Sequence, residues 1–205
     1  MLRLIRRVAD RLALTPATFH WVRKLPEGNY QATKPRVAAV RDSMGDPRVL
    51  DLGCGTAEYA ELFDPARYLG VDIHPGYVRF AQRRLPRHRF LVADVCQWKP
   101  DEEPFDLVLV HGVLHHLDDA RAQAFLHTAR SLVRPGGKLL VIEDVRLAGA
   151  PLVTRIVHRL DYGDHIRDVP AWQALVSGVL PIARSETYSS GVCPYHLMLC
   201  SKPAA

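Results

Sequence analysis

Strands and helices that alternate from residue 46 onward predict an α/β fold: one doubly wound, mostly parallel sheet with an antiparallel C-terminal strand. Three observations carry this. Short apolar runs alternate with stretches of helical period, and parallel neighbours need crossover connections. The run Phe105–Val113 is nearly continuously apolar, as strands covered on both faces are. The last two apolar runs are joined only by a short turn, so they must pair antiparallel.

The elements follow in order. Leu2, Ile5, Val8, Ala9 and Leu12 recur at three- and four-residue spacing with Arg3, Arg6, Arg7 and Arg11 between them, the pattern of an amphipathic helix. Thr15-Pro16 interrupts that pattern, and Lys34–Met44 is a second helix with Val37, Val40 and Met44 on one side. After Gly45-Asp46-Pro47 come strand Arg48–Cys54, a short helix Thr56–Phe63 and strand Tyr68–Ile73. Pro75–Leu85 is a helix with proline in its first turn, where proline is tolerated. Arg89–Val95 and Phe105–Val113 are strands, and Asp119–Leu132 is a helix ended by Pro135-Gly136-Gly137. Lys138–Glu143 is a fifth strand and Arg167–Val176 a helix. Arg184–Ser190 and His196–Ser201 are two final strands around Gly191–Tyr195. Residues 1–45 therefore read as a helical N-terminal lid or docking segment, and 46–205 as one α/β domain.

Composition narrows the class. The 205 residues are 48% hydrophobic and 24% charged, the balance of a globular chain rather than a disordered or fibrous one. Four scattered cysteines with no CxxC pair read as reduced thiols and a cytoplasmic location. No run approaches the roughly 20 apolar residues of a membrane span, and the N-terminus lacks the apolar core of a secretion signal. Residues 1–50 hold ten Lys and Arg against four acids, and the remainder seventeen against eighteen, so all of the excess positive charge lies in the first quarter. Such a segment suits an anionic surface, or is simply a solvated arginine-rich face.

In an open parallel sheet, ligands bind beyond the carboxyl ends of the strands. Asp51-Leu52-Gly53-Cys54-Gly55-Thr56-Ala57 follows the first strand, where glycines let backbone amides approach a ligand and a following helix N-terminus favours an anion. A dinucleotide-binding loop needs a third glycine where this chain has Glu58, and the absence of GK[ST] excludes a P-loop. Asp72 ends the second strand and can accept both hydroxyls of a ribose. Because it sits at a strand end, its replacement is expected largely to spare folding. Asp94 ends the third strand, where a carboxylate can take the exocyclic amine of an adenine while the next amide, that of Val95, faces a ring nitrogen.

With these motifs in place, the chain resembles the class I S-adenosylmethionine-dependent methyltransferases over residues 47–144. The resemblance rests on Val49-Leu50-Asp51-Leu52-Gly53-Cys54-Gly55-Thr56, Gly70-Val71-Asp72-Ile73, Ala93-Asp94-Val95, Phe105-Asp106-Leu107-Val108 with Leu114-His115-His116-Leu117, and Leu132–Leu139. It implies a Rossmann-like, seven-stranded sheet and S-adenosyl-L-methionine as cofactor. It also implies that Gly53 and Gly55 flank the methionine moiety and that Asp51 orients the loop or meets the amino group. Asp72 and Ile73 would then hold the ribose end, and Asp94 and Val95 would read the adenine. Ala57 departs from the family's usual third glycine, as it does in many members.

The acceptor is less sharply marked. His111, at the end of the fourth strand, is the candidate general base and also adjoins the cofactor site. An unperturbed imidazole there would titrate near 6.5. His115 is a second catalytic candidate whose default reading is structural. Their i, i+4 spacing lacks a third metal ligand, so no metal is expected. The [DN]PPY loop of amide and adenine methylation, the Pro-Cys nucleophile of cytosine C5 enzymes and the strand-end Asp of the metal-dependent catechol type are all absent. These readings leave a small-molecule acceptor, with oxygen favoured over nitrogen or carbon. The alternatives are a lipid or nucleic acid docked by the basic N-terminal segment, of which nucleic acid is the less expected, or a non-catalytic binding module. The stretch Arg155–Arg167 holds Asp161, Tyr162, Asp164, His165 and Arg167, and reads either as acceptor-binding or as a solvated loop. Peripheral membrane contact is assigned, if anywhere, to the Met1–Leu14 helix.

Overall fold

The computed structural model of the chain describes residues 15–98, 102–160 and 164–204. The expected Met1–Leu14 helix, and Asp161 and Tyr162 of the polar stretch, lie outside the described residues. The elements are α1 (Pro16–Lys24), α2 (Thr33–Asp42), β1 (Val49–Leu52), β2 (Tyr68–Asp72), α3 (Pro75–Arg84), β3 (Arg89–Val92) and β4 (Phe105–His111). After them come α4 (Asp119–Leu132), β5 (Val133–Asp144), α5 (Leu152–Leu160), α6 (Val169–Ser177), β6 (Ile182–Ser190) and β7 (Cys193–Ser201).

The seven strands form one sheet in the order β3-β2-β1-β4-β5-β7-β6. β1 pairs parallel with β2 and β4, with Asp51 opposite both Gly70 and Leu109. β7 runs antiparallel to β5 and to β6, so it alone is reversed and the expected antiparallel C-terminal strand is present. Side chains alternate across the sheet with period two. Leu50, Leu52, Val108, Val110 and Val141 face one buried layer with Phe125 and Trp172. Val49, Leu109, Leu140 and Ile142 face the other with Val37, Tyr59 and Tyr195. Among the described residues no helix is long and apolar enough to cross a membrane.

Four elements differ from the sequence expectation, each for a local reason. The glycine loop does not open an α-helix. Ala57 sits at φ 62°, a left-handed conformation that stops helix growth, and only a 3₁₀ turn at Ala60–Leu62 follows. No helix N-terminus therefore stands behind the loop. Thr15-Pro16 starts a helix rather than merely breaking one, since the Thr15 hydroxyl accepts the Thr18 amide at 3.2 Å. β5 begins at Val133, and Pro135-Gly136-Gly137 is a bulge inside it where the β4 register jumps. Leu152–Leu160, whose later half falls in the stretch read either as acceptor-binding or as a solvated loop, is a helix.

The β6–β7 turn also anchors the N-terminal segment. Val192 donates to the Pro26 carbonyl at 2.9 Å, and the Ser190 hydroxyl to the Glu27 carbonyl at 2.7 Å. Gly191 lies so close to this chain that a Cβ there would fall 2.1 Å from the Pro26 oxygen. The stretch between α1 and α2 is thereby fixed across the carboxyl end of the sheet.

Candidate cofactor and acceptor site

β2 and β4 lie on opposite sides of β1, so the crossovers leaving the sheet here run in opposite directions and open a crevice. A cavity of about 460 Å³ fills that crevice. Its wall collects Gly53 and Gly55 after β1, Asp72 and Ile73 after β2, Asp94 and Val95 after β3, and His111 at the end of β4. The Gly53 and Cys54 amides both donate to the Val71 carbonyl, at 2.7 and 3.0 Å, which turns the loop sharply away from β1. Gly53 has φ +74° and no room for a side chain, because a Cβ would lie 2.3 Å from Val113 Cγ2. At Gly55 (φ +52°) a Cβ would meet nothing within 4 Å, so bare backbone faces open space.

The acids divide into distinct roles. Asp72 is 8% exposed and ties the loop together: Oδ2 accepts the Gly55 amide and Oδ1 the His74 amide, both at 2.8 Å. Burial raises its pKa despite these bonds. Asp72 thus joins the loops after β1 and β2. Asp51 is buried, and its Oδ2 accepts the Tyr68 hydroxyl at 2.7 Å. Burial pushes its carboxyl up to about 7, against the opposing effect of that hydrogen bond. Asp94 holds its own turn, accepting the Cys96 amide at 3.0 Å and the Gln97 side chain at 3.1 Å. Val95 is buried beneath it, whereas Ile73 leaves an apolar side chain 60% exposed at the cavity wall.

His111 stands at the opposite end of the cavity among Tyr30, Tyr59 and Tyr195. Its Nε2 lies 3.0 Å from the Tyr59 hydroxyl. Burial, then the nearby Arg23 guanidinium, holds its pKa well below 6.5, so the ring is neutral at neutral pH. His115 is placed elsewhere. It has no exposed surface and its Nδ1 is 2.8 Å from Glu143 Oε2. Glu143, equally buried, also accepts the Val113 and Leu114 amides at 2.9 and 2.8 Å, pinning the segment after β4 to β5. His111 and His115 therefore face different partners and do not share a site.

Sequence reading missed the contribution of α1. His20 and Arg23, one helical turn apart, line the cavity. His20 Nδ1 is 2.9 Å from the Thr56 hydroxyl, and Arg23 lies over Gly112, where a Cβ would meet its Nη2 at 3.4 Å. Glu58, the residue that displaces a third glycine, pairs with Lys34 at 2.6 Å and Lys24 at 3.5 Å, binding both N-terminal helices to the loop. The available signal was the i, i+3 pair of polar residues after a proline-started helix.

Comparison with known proteins agrees with this geometry. Residues 49–137 match the family model of the methyltransferase domain. Over that span the chain is similar to the methyltransferase domain. The matched span contains every strand-end residue of the cavity named above. Trans-aconitate 2-methyltransferase of Methylobacterium radiotolerans is 39% identical over 100 residues, 46% of this chain and 37% of that protein. The enzyme of the same name from Azoarcus sp. is 35% identical over 140 residues, 66% of this chain and 50% of that one. The chain thus spans half or less of the length of these curated relatives. Among solved structures, magnesium protoporphyrin IX methyltransferase from Synechocystis with bound SAH superposes with a TM-score of 0.71. That match covers 96% of this chain and 99% of that one at 19% identity, a likeness of fold.

Proposed function

We propose that the methyltransferase domain transfers the methyl group of S-adenosyl-L-methionine to an oxygen of a small-molecule acceptor. The observation that carries this is the single cavity in which the glycine loop, Asp72 with Ile73, Asp94 with Val95, and His111 meet in strand order. The residues fit the cofactor. The open side of Gly55 is a cradle that a side chain would fill, and it suits a methionine moiety lying against backbone. Each Asp72 oxygen accepts one amide and keeps capacity for a ribose hydroxyl. Ile73 offers an apolar face to a flat base, while Asp94 and the Val95 amide read its edge. A ligand ammonium beside Asp51 would favour the carboxylate that burial disfavours.

When bound, the cofactor supplies a methyl group already activated on a cationic sulfur. The residues of this chain then have three tasks: alignment, exclusion of water and handling of the acceptor's proton. Alignment falls to the loop held by Asp72. Water is excluded by α1, which closes over the loop through His20 and Thr56 and acts as the lid, anchored by the β6–β7 turn. His111, kept neutral and oriented by Tyr59, takes the proton from an acceptor hydroxyl. His115 serves as a support through Glu143 and touches no reacting atom. Arg23 stands at the acceptor end, paired with Glu27 at 3.5 Å, and its guanidinium offers further N–H donors to an acidic acceptor. Incubation with methyl-labelled cofactor and a panel of small hydroxy acids and polycarboxylic acids, trans-aconitate included, tests the reading. Label transferred to an acceptor oxygen is expected. A chain that binds the cofactor yet labels only nitrogen or carbon acceptors, or none of a wide panel, would refute it.

A further inference from the structure

A second cavity of about 460 Å³ opens at the carboxyl end of β5, beneath α5, with Arg146, Arg155, His158 and Arg159 in its wall beside Leu147 and Ile166. Among the described residues it shares no lining residue with the first cavity. Buried Asp144 lies behind its wall, with Oδ1 3.9 Å from His158 Nε2 and Oδ2 3.7 Å from His115 Nδ1. Among the described residues no carboxylate lines this second cavity.

Arginine is charged at every accessible pH, so three guanidiniums around one hollow repel one another. Arg167 by contrast binds Asp119 and the Leu114, His165 and Leu117 carbonyls, and Arg134 binds Asp106. Among the described residues, Arg146, Arg155 and Arg159 make no ion pair and no side-chain hydrogen bond. Arg146, Arg155 and Arg159 are exposed, so water rather than any described residue solvates this like charge. On the outer face of α5, Leu152 is 70%, Val153 49% and Ile156 47% exposed, so apolar surface adjoins the basic hollow.

We propose that this cavity is a second binding site, for the phosphate group of a phosphate ester. Its doubly charged head matches the arginine forks, which take phosphate oxygens in pairs. The volume exceeds what bare phosphate fills and leaves room for the organic part, and the exposed aliphatic residues of α5 lie beside it. The ester comes either from solution or from an anionic phospholipid whose headgroup enters the cavity while Leu152 and Ile156 meet the acyl region. The site is separate from methyl transfer, so binding alone tests it.

The full chain is titrated calorimetrically with inorganic phosphate and glycerol 3-phosphate, and sedimented with phosphatidylcholine vesicles with and without phosphatidic acid. Wild type is expected to bind glycerol 3-phosphate or the phosphatidic acid vesicles. Arg155→Gln with Arg159→Gln should weaken that binding by about tenfold or more, from the charge-assisted bonds lost, while S-adenosylhomocysteine affinity stays at the wild-type value. Arg146→Gln alone serves if the double variant does not fold. Sedimentation abolished by Leu152→Ser with Ile156→Ser, with glycerol 3-phosphate binding retained, assigns a lipid source. Ester binding without sedimentation assigns a soluble one. If no probe binds, or if the arginine variants bind as wild type does, the proposal is wrong.

Discussion

Replacing Asp72 by Asn probes the hinge of the cofactor site with almost no change of shape. The carboxylate accepts the Gly55 and His74 amides, one on each oxygen, at 2.8 Å. An amide side chain can satisfy only one of them and sets an N–H₂ against the other. It also removes the charge that strengthens any bond from a ribose hydroxyl. Bonds to a charged group contribute about 1.5–3 kcal/mol each, so one lost ligand bond weakens binding by about ten- to a hundredfold. Stability should fall by less than the two amide bonds suggest, because burial already penalises the charged form and raises its pKa. A net loss of about 1–2 kcal/mol corresponds to a Tm lower by roughly 2–8 °C in a chain of this size. Calorimetric titration with S-adenosylhomocysteine reads the first quantity and thermal unfolding the second. A folded Asp72→Asn variant with affinity within twofold of wild type would refute the assignment.

Three further outcomes are expected. His111→Ala should lower kcat by about two to four orders of magnitude with S-adenosylhomocysteine affinity near wild type. The acid limb of the wild-type rate should lie below pH 6.5, because burial and Arg23 depress the imidazole pKa, and Arg23→Met should move that limb upward; undiminished kcat in the alanine variant would remove the base from the account. Glu143→Ala leaves buried amides and His115 without their acceptor, which should cost about 3 kcal/mol or more, read by urea denaturation. Asp51 has a folded pKa of about 7 against an unfolded value of 3.8, so its contribution to unliganded stability is full below pH 3.8 and is lost as pH rises toward 7. Asp51→Asn keeps an acceptor for Tyr68 and should flatten that pH dependence, and an unchanged profile would contradict the buried-carboxyl reading.

Much of the fold, and the gathering of the candidate cofactor residues in one cavity, are legible in the sequence because these residues fall at strand ends. Once the apolar runs are placed, Gly53, Asp72 and Asp94 fall at successive carboxyl ends, and a doubly wound sheet brings those ends together. The legibility stops where distant segments meet. Tyr195 donates to Glu27, 168 positions away, and the Glu143 cage around the segment after β4 joins two strands. Neither pairing leaves a local pattern. β7 begins at Cys193 rather than at the expected His196, with Pro194 at its second residue, where the strand is only beginning. α5 was hidden by its own outward face, whose exposed aliphatic residues beside arginines do not resemble a helix that buries an apolar stripe.

The central claim is that the cavity at the β1–β4 switch point holds S-adenosyl-L-methionine and not a dinucleotide. Calorimetric titration of the full chain with S-adenosylhomocysteine and, in parallel, with NAD tests it most directly. The account predicts one-to-one, saturable binding of S-adenosylhomocysteine that Asp72→Asn weakens by about tenfold or more, with no heat from NAD. Binding of NAD in preference to S-adenosylhomocysteine, or of neither by the folded chain, would contradict it.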